Sequence, residues 1–448
     1  MKSATPVIAQ QTAIVIGASM AGLLAAAALA PLYRRVLVLE RDDLRDRSSP
    51  RKGVPQAAHV HGFLAAGCTA LEQLLPGIVE RVEAAGGAVG DMLQDARFYV
   101  GREQRFVAGA SGIQGLVASR LLPERVVAQA VGALPNVEIR SGVQVSGPLF
   151  DSAAQRVAGV ICQPHGASDD AQQALPAALV VDASGRGGRS RSWLQQAGYL
   201  PPPQDVLPVD ITYSSCWFKR DPAQVNPVRA VFVAPDAATP VPAGMMEQDG
   251  ERWIVSCGSY GDRSAPATVD ELREYVRRHS AVDIHAVIAD AEPLGPLRQY
   301  RYAASVRNRY EKLRRFPHGY LLLGDALCSF NPVYGQGMTI AALQALALRD
   351  CLQQGRGRLW RRYFRRAAAI VADPWEFAIA SDLGLPCVAG KRPFGFSLVQ
   401  RYSDRLMRAA SRDMGAARAV LRVVHMLDRP GALLAPATVY RALRYGGV

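Results

Sequence analysis

Thr12-Ala13-Ile14-Val15-Ile16 is an unbroken apolar run, rich in branched residues, that stops at a glycine loop and restarts as an alanine- and leucine-rich segment. Such a run suits a parallel strand buried on both faces. Gly17-Ala18-Ser19-Met20-Ala21-Gly22 follows, then Leu23 to Ala30 as a helix that Pro31 stops, because proline cannot continue the ladder. Val36-Leu37-Val38-Leu39 is the next strand and ends at Glu40. Strand, glycine loop, helix and strand together commit the chain to an α/β fold with a parallel sheet.

The same unit predicts a dinucleotide site. The N–H groups and macrodipole at the start of the helix bind phosphate, and Glu40, about twenty residues beyond the glycines, is placed to accept from an adenosine ribose hydroxyl. Ser19 stands where the usual G-x-G-x-x-G carries its middle glycine. Gly17, Ala18, Ser19, Met20, Ala21, Gly22, Glu40 and the adjacent Arg41 are the candidate contacts.

A second signal lies about three hundred residues downstream. Leu321-Leu322-Leu323-Gly324-Asp325-Ala326 runs into Asn331-Pro332-Val333-Tyr334-Gly335-Gln336-Gly337-Met338-Thr339 and then a helix. A Pro/Gly-rich loop entering a helix builds a wall of backbone N–H groups with one carboxylate beside it, a surface shaped for a polar, electron-accepting ring. One ligand touching both signals has to be long. Between them, Leu179-Val180-Val181-Asp182 turns through Ala183-Ser184-Gly185 into Arg186-Gly187-Gly188-Arg189, and two loops carry cations, Arg51 in Arg51-Lys52-Gly53-Val54-Pro55-Gln56 and Arg120 ahead of a helical pattern. Arg51 is the candidate for a cofactor phosphate or ring edge. His59 and His61, two apart, make a poor metal pair, so no metal is expected.

Composition bounds the rest. The net charge of +13 is concentrated in the tail, where residues 345–448 hold eighteen Lys/Arg against seven Asp/Glu. That suits a solvated face, or peripheral contact with an anionic membrane surface. No nucleic-acid module accompanies it, so nucleic acid is not an expected partner. Seven cysteines without a C-x-x-C pair fit a reducing cytoplasm. The uncharged stretch from Ile14 to Ala30 is short for a span and reads as strand plus helix.

With these segments in hand, the chain resembles the FAD-dependent monooxygenases of the para-hydroxybenzoate hydroxylase type over nearly its whole length. Gly17 to Gly22 with Glu40 match the adenosine-diphosphate motif except at Ser19, Asp182 to Arg189 match the Asp-Gly motif except at Ala183, and Gly324-Asp325 with Asn331 to Gly337 match the riboflavin motif. The Arg51–Gln56 and Asn331–Gly337 wording is most similar to bacterial single-component oxygenases and epoxidases of secondary metabolism. The resemblance implies that Asp325 binds the ribityl hydroxyls, Arg120 the pyrophosphate region, Pro332 the isoalloxazine, and the backbone at Gly335, Gln336, Gly337 and Met338 the pyrimidine end. It also implies a Rossmann-like FAD domain of the glutathione reductase type with an inserted β-sheet substrate domain. The implied divisions are 1–65, 105–205 and 300–345 for FAD, 66–104 and 206–299 for substrate, and a basic helical region over 346–448.

The 206–299 insertion reads as short strands broken by Pro, Gly and Asp, closed by a helix from Val269 to His279. Tyr213, Trp217, Met245 and Trp253, with Phe218, Met246 and Tyr260, are the candidates for its substrate-facing lining. No carboxylate pair or nucleophile–base order stands out, which fits a reaction whose reactive group belongs to the cofactor. The implied activity is insertion of one oxygen atom from O2, through a flavin C4a-hydroperoxide, into a lipophilic, electron-rich molecule, with NAD(P)H as transient reductant. An isoprenoid-type reductase and a non-catalytic FAD-binding or membrane-docking protein remain as alternatives. A halogenase fits poorly, because no two of the tryptophans at 193, 217, 253, 360 and 375 stand two apart.

Overall fold

The computed structural model describes residues 11–46, 51, 55–221, 228–261 and 264–447. Its first sheet has five strands, in the order Tyr320–Leu322, Leu179–Asp182, Thr12–Ile16, Arg35–Leu39 and Val137–Arg140. All four pairings are parallel, with Val15 level with Val181 on one side and Val38 on the other. Parallel strands in register end together. Gly17, Glu40, Ala183 and Leu323 therefore leave the sheet along one edge, each donating its N–H to a carbonyl at a neighbouring strand end at 2.8–2.9 Å. This is the carboxyl edge at which open α/β sheets hold ligands.

Helix Met20–Leu29 is buried at every residue but Ala21. It is covered by helices Leu121–Gly132 and Gly337–Gln353, so its alanine-rich sequence reflects close packing on all sides rather than amphipathic placement.

The second sheet has eight strands, in the order Cys328–Ser329, Arg298–Asn308, Gln204–Lys219, Arg252–Tyr260, Ala243–Gln248, Ala230–Ala234, Ala96–Val100 and Gln104–Arg105. Its outer face packs under helices Val269–His279 and Val282–Ile288. The first of these spans the expected residues and opens on a capping box, with the Glu271 N–H donating to Thr268 Oγ1 at 3.2 Å. The 66–104 segment divides between the two bodies: Ala70, Leu71, Leu74, Ile78 and Val82 join the first core, while Ala96–Val100 pairs with Ala230–Ala234 in the large sheet.

The tail folds as helices Leu359–Leu383, Phe396–Ala410, Met414–Val424 and Pro436–Tyr445. Many of its arginines donate to carbonyls at helix ends. Arg405 and Arg408 on helix Phe396–Ala410, and Arg412 in the turn after it, reach the carbonyls of Ala442 (3.0 Å), Gly446 (3.1 Å) and Tyr445 (3.1 Å). Arg392 reaches that of Leu383 (3.1 Å) and Arg362 that of Cys351 (3.0 Å). Cations at helix C-termini satisfy orphan carbonyls and oppose the negative end of the macrodipole. Much of the tail's positive charge is thus committed within the fold. No helix among the described residues is long and apolar enough to cross a membrane.

Candidate functional site

The glycine loop is built for close approach. Gly17 has φ +97° and a Cβ there would stand 2.8 Å from the Ala183 carbonyl oxygen; one on Gly22 would stand 1.9 Å from the Gly17 oxygen. No side chain fits at either position. Ser19 adopts an extended conformation as the helix N-cap, with its hydroxyl donating to Glu124 Oε2 at 3.1 Å and accepting from Arg120 Nη2 at 3.3 Å. The departure at Ser19 is thereby explained: its side chain turns into a buried charge cluster rather than toward the loop's mouth.

That cluster gathers residues from three separate segments. Glu40 accepts from the Ala18 N–H (2.8 Å) and the Asp42 N–H (3.0 Å) and lies 3.4 Å from Arg51 Nη1. Glu124 pairs with Arg51 and sits 3.6 Å from Arg120 Nε. Arg51 Nη1 and Arg120 Nε are nevertheless buried without a hydrogen-bond acceptor. Two unsatisfied guanidinium N–H groups beside a glycine loop fit the diphosphate of a dinucleotide, whose oxygens are strong acceptors. Glu124 was not anticipated; its signal was the i, i+4 spacing from Arg120 on a helical pattern. Lys52 to Val54, between Arg51 and Pro55, lie outside the described residues.

Asp325 follows the neighbouring strand end. Gly324 has φ +72° and packs so closely on helix Met20–Leu29 that a Cβ would stand 2.9 Å from that of Ala21. Desolvation raises the Asp325 carboxyl above the ordinary range, against the pull of Arg120 and Arg186. Arg186 in turn donates to the Tyr300 hydroxyl (2.9 Å) and lies over the Tyr302 ring at 4.5 Å. Asp325 thus stands between the glycine-loop cluster and the large sheet.

The Asn331–Gly337 loop lies beyond it, with Asn331 and Gln336 buried and Pro332 at its front. Pro332 is exposed, a Cβ at Gly335 would meet open space, and Gln336 Oε1 is buried without a donor at the start of helix Gly337–Gln353. Behind the loop, Asn331 Oδ1 accepts from the Tyr213 hydroxyl, which itself accepts from the Val333 N–H at 3.0 Å. An open outer side and an orphaned acceptor fit a planar heterocycle with N–H and C=O edges. The Met338 side chain points into the core, leaving its N–H as the group available at the helix start.

Four further candidates sit as follows. Asp182 is fully buried and both its oxygens are engaged, by Ser184 and by Ser190 and Tyr320 (3.1 Å for the last), so it shapes the turn that supports Gly17. Arg41 is half exposed, 3.7 Å from Asp42. Met245 and Trp253 do not share the inner face of the large sheet with Tyr213. Strand alternation puts them on the outer face, packed with Phe218, Leu272, Val276 and Ile284 beneath the two helices. Tyr213 and Trp217 share the opposite, inner face with Ser215, Ile254, Ser256 and Met246. Trp217 keeps a buried indole N–H with no acceptor. His59, on the same side, hydrogen-bonds through Nδ1 to Ser215 Oγ at 2.7 Å and lies 5.7 Å from the Tyr300 ring. Burial lowers its pKa to about 4, leaving a neutral imidazole.

A glycine loop with flanking guanidiniums at the carboxyl edge, and an N–H-rich loop packed against a second sheet, define a flavoprotein that holds a long dinucleotide cofactor. The chain belongs to the family described as FAD binding domain, which matches residues 10–356. It is 32% identical over 427 residues to "Protein Rv3254" of Mycobacterium tuberculosis (strain ATCC 25618 / H37Rv), covering 93% of this chain and 90% of that protein. Its fold is similar to that of the flavin-dependent brominase Bmp2 (TM-score 0.66, 14% identity, 97% of this chain and 98% of that one). It is likewise similar to p-nitrophenol 4-monooxygenase PnpA from Pseudomonas putida DLL-E4 (0.64, 18%, 94% and 100%). A third likeness is to P. aeruginosa PqsL in complex with 2-aminobenzoylacetate (0.61, 17%, 92% and 99%).

Proposed function

We propose that the chain is an FAD-dependent monooxygenase that places one oxygen atom of O2 in a lipophilic, electron-rich small molecule, by hydroxylation or epoxidation, with NAD(P)H as transient electron donor. The observation that supports this reading is that Tyr213, on the inner face of the eight-stranded sheet with Trp217, holds the Asn331–Gly337 loop from behind through Asn331, while the loop's front at Pro332 stays exposed. Bound FAD supplies the electrons and the site of dioxygen activation.

The protein's residues bind and shield. The glycine loop, Arg51 and Arg120 hold the diphosphate, Glu40 the adenosine ribose and Asp325 the ribityl chain. The N-terminus of helix Gly337–Gln353 opposes negative charge gathering at the pyrimidine edge. The sheet excludes water from the reacting side, while the free indole N–H of Trp217 gives the lining one directional donor toward a substrate oxygen. A place in secondary metabolism rests on the wording of the Arg51–Gln56 and Asn331–Gly337 segments alone.

The test begins with colour. Purified protein should carry FAD, and Asp325→Ala should lose at least about tenfold in FAD affinity, the effect of one charge-assisted hydrogen bond. Turnover under isotopically labelled dioxygen, with a panel of phenols and alkenes, should leave label in the product. A saturated double bond with no label would make the protein a reductase.

A further inference from the structure

Helix Leu359–Leu383 lies beyond every cofactor motif, yet its last turn carries a fully buried carboxylate, Asp382. One oxygen, Oδ1, accepts from the Tyr334 hydroxyl at 2.8 Å, from Asn331 Nδ2 at 2.9 Å and from the Tyr260 hydroxyl at 3.4 Å. The other, Oδ2, is buried with no partner. No cation pairs with Asp382 among the described residues, and a buried carboxylate without one is costly to retain.

Its donors are not arbitrary. Asn331 caps the single 3-10 turn Pro332–Tyr334, and Tyr334 closes it, so one carboxyl grips the turn at both ends. From the other side, Tyr213 holds Asn331 Oδ1 and the Val333 N–H, and Ser305 Oγ accepts from the Asn331 N–H at 3.1 Å. Every one of these contacts lies behind the turn, whose front at Pro332 is exposed.

We propose that Asp382 is a positioning residue for the flavin: its carboxyl clamps Asn331 and Tyr334 from behind and so fixes the backbone N–H groups at Gly335–Gly337 against the cofactor's pyrimidine edge. This rests on the FAD-binding reading of that loop. The clamp is also a titrating one. Burial pushes the Asp382 carboxyl up to about 6, with the Tyr334, Asn331 and Tyr260 hydrogen bonds opposing. The titratable groups facing it are Tyr260 and Tyr334, with Tyr213 one contact further and Cys387 acting on Tyr260 through its charge; burial holds all three tyrosines in the neutral hydroxyl form. Ionisation of Asp382 therefore changes the charge behind the loop near pH 6 with little compensation. An added negative charge there disfavours electron uptake by the cofactor.

The experiment uses FAD-loaded full-length protein, with circular dichroism to establish folding. Asp382→Ala should weaken FAD binding about tenfold, and Tyr334→Phe about threefold, as expected for loss of the clamp and of one of its hydrogen bonds. The midpoint potential of the bound flavin, followed from pH 5 to 8, should bend near pH 6 in the wild type and lose that bend in Asp382→Asn. If Asp382→Ala does not fold, Tyr334→Phe and Asp382→Asn decide. Folded variants with wild-type FAD affinity and an unchanged bend overturn the clamp alone. A wild-type protein that cannot be loaded with FAD overturns the flavin reading and the clamp with it.

Discussion

The two ends of the site are held by different means. At the glycine-loop end, Gly17, Glu40 and Ala183 are fixed by backbone hydrogen bonds between neighbouring parallel strands. At the loop end, Asn331 to Tyr334 are fixed by side chains from four distant segments, Tyr213, Tyr260, Ser305 and Asp382. The first arrangement has no freedom to relax, because a strand end cannot move without its sheet. The second depends on a buried polar network, which is rigid when every member is satisfied and weak when one is lost.

The largest effect should come from the backbone-built end. Gly22→Ala puts a Cβ 1.9 Å from a backbone oxygen, so the loop must move; a loss of about 4 kcal/mol in denaturant unfolding is expected, with FAD content near zero. A stable, yellow variant would show that this end yields as readily as the other.

Asn331→Ala comes next, at about 3 kcal/mol, since it strips a donor from the buried Asp382 and the acceptor from Tyr213. Here the protein should still fold at low temperature and bind FAD weakly, which separates a broken network from a broken scaffold.

The smallest effect is a matter of pH. The Asp382 carboxyl titrates near 6 in the fold and near 3.8 when unfolded. The folded state therefore binds the proton more tightly. Stability from this group is complete below about pH 4 and is lost as pH rises through about 6. Asp382→Asn, which has no such titration, should gain roughly 2 kcal/mol relative to wild type between pH 4 and 7, read as the difference between two urea titrations.

The same contrast explains what was legible in the sequence. Gly17, Glu40, Gly324 and Asp325 announce themselves because each follows an apolar strand, and parallel register brings strand ends together without further information. Asn331 sat inside a recognisable motif, but its partners could not be inferred: Tyr213 is 118 residues away and Asp382 is 51, and no periodicity links them. Met245 and Trp253 failed for a different reason. Alternation fixes which residues share a face, but Gly244-Met245-Met246 and Trp253-Ile254-Val255 are apolar at both parities, and only the covering helices decide which face is outer. The partners of the tail's arginines were not legible in composition, because charge counts do not distinguish a solvated arginine from one bound to the last carbonyls of a helix.

Helix Met20–Leu29 carries one more consequence, for the order in which the protein is made. This segment leaves the ribosome before either of its covers, and it is apolar on every side. One of its covers, Leu121–Gly132, arrives about a hundred residues later, and the other, Gly337–Gln353, about three hundred residues later. Until then the growing chain displays an unshielded apolar rod, so interrupted translation yields fragments prone to aggregate.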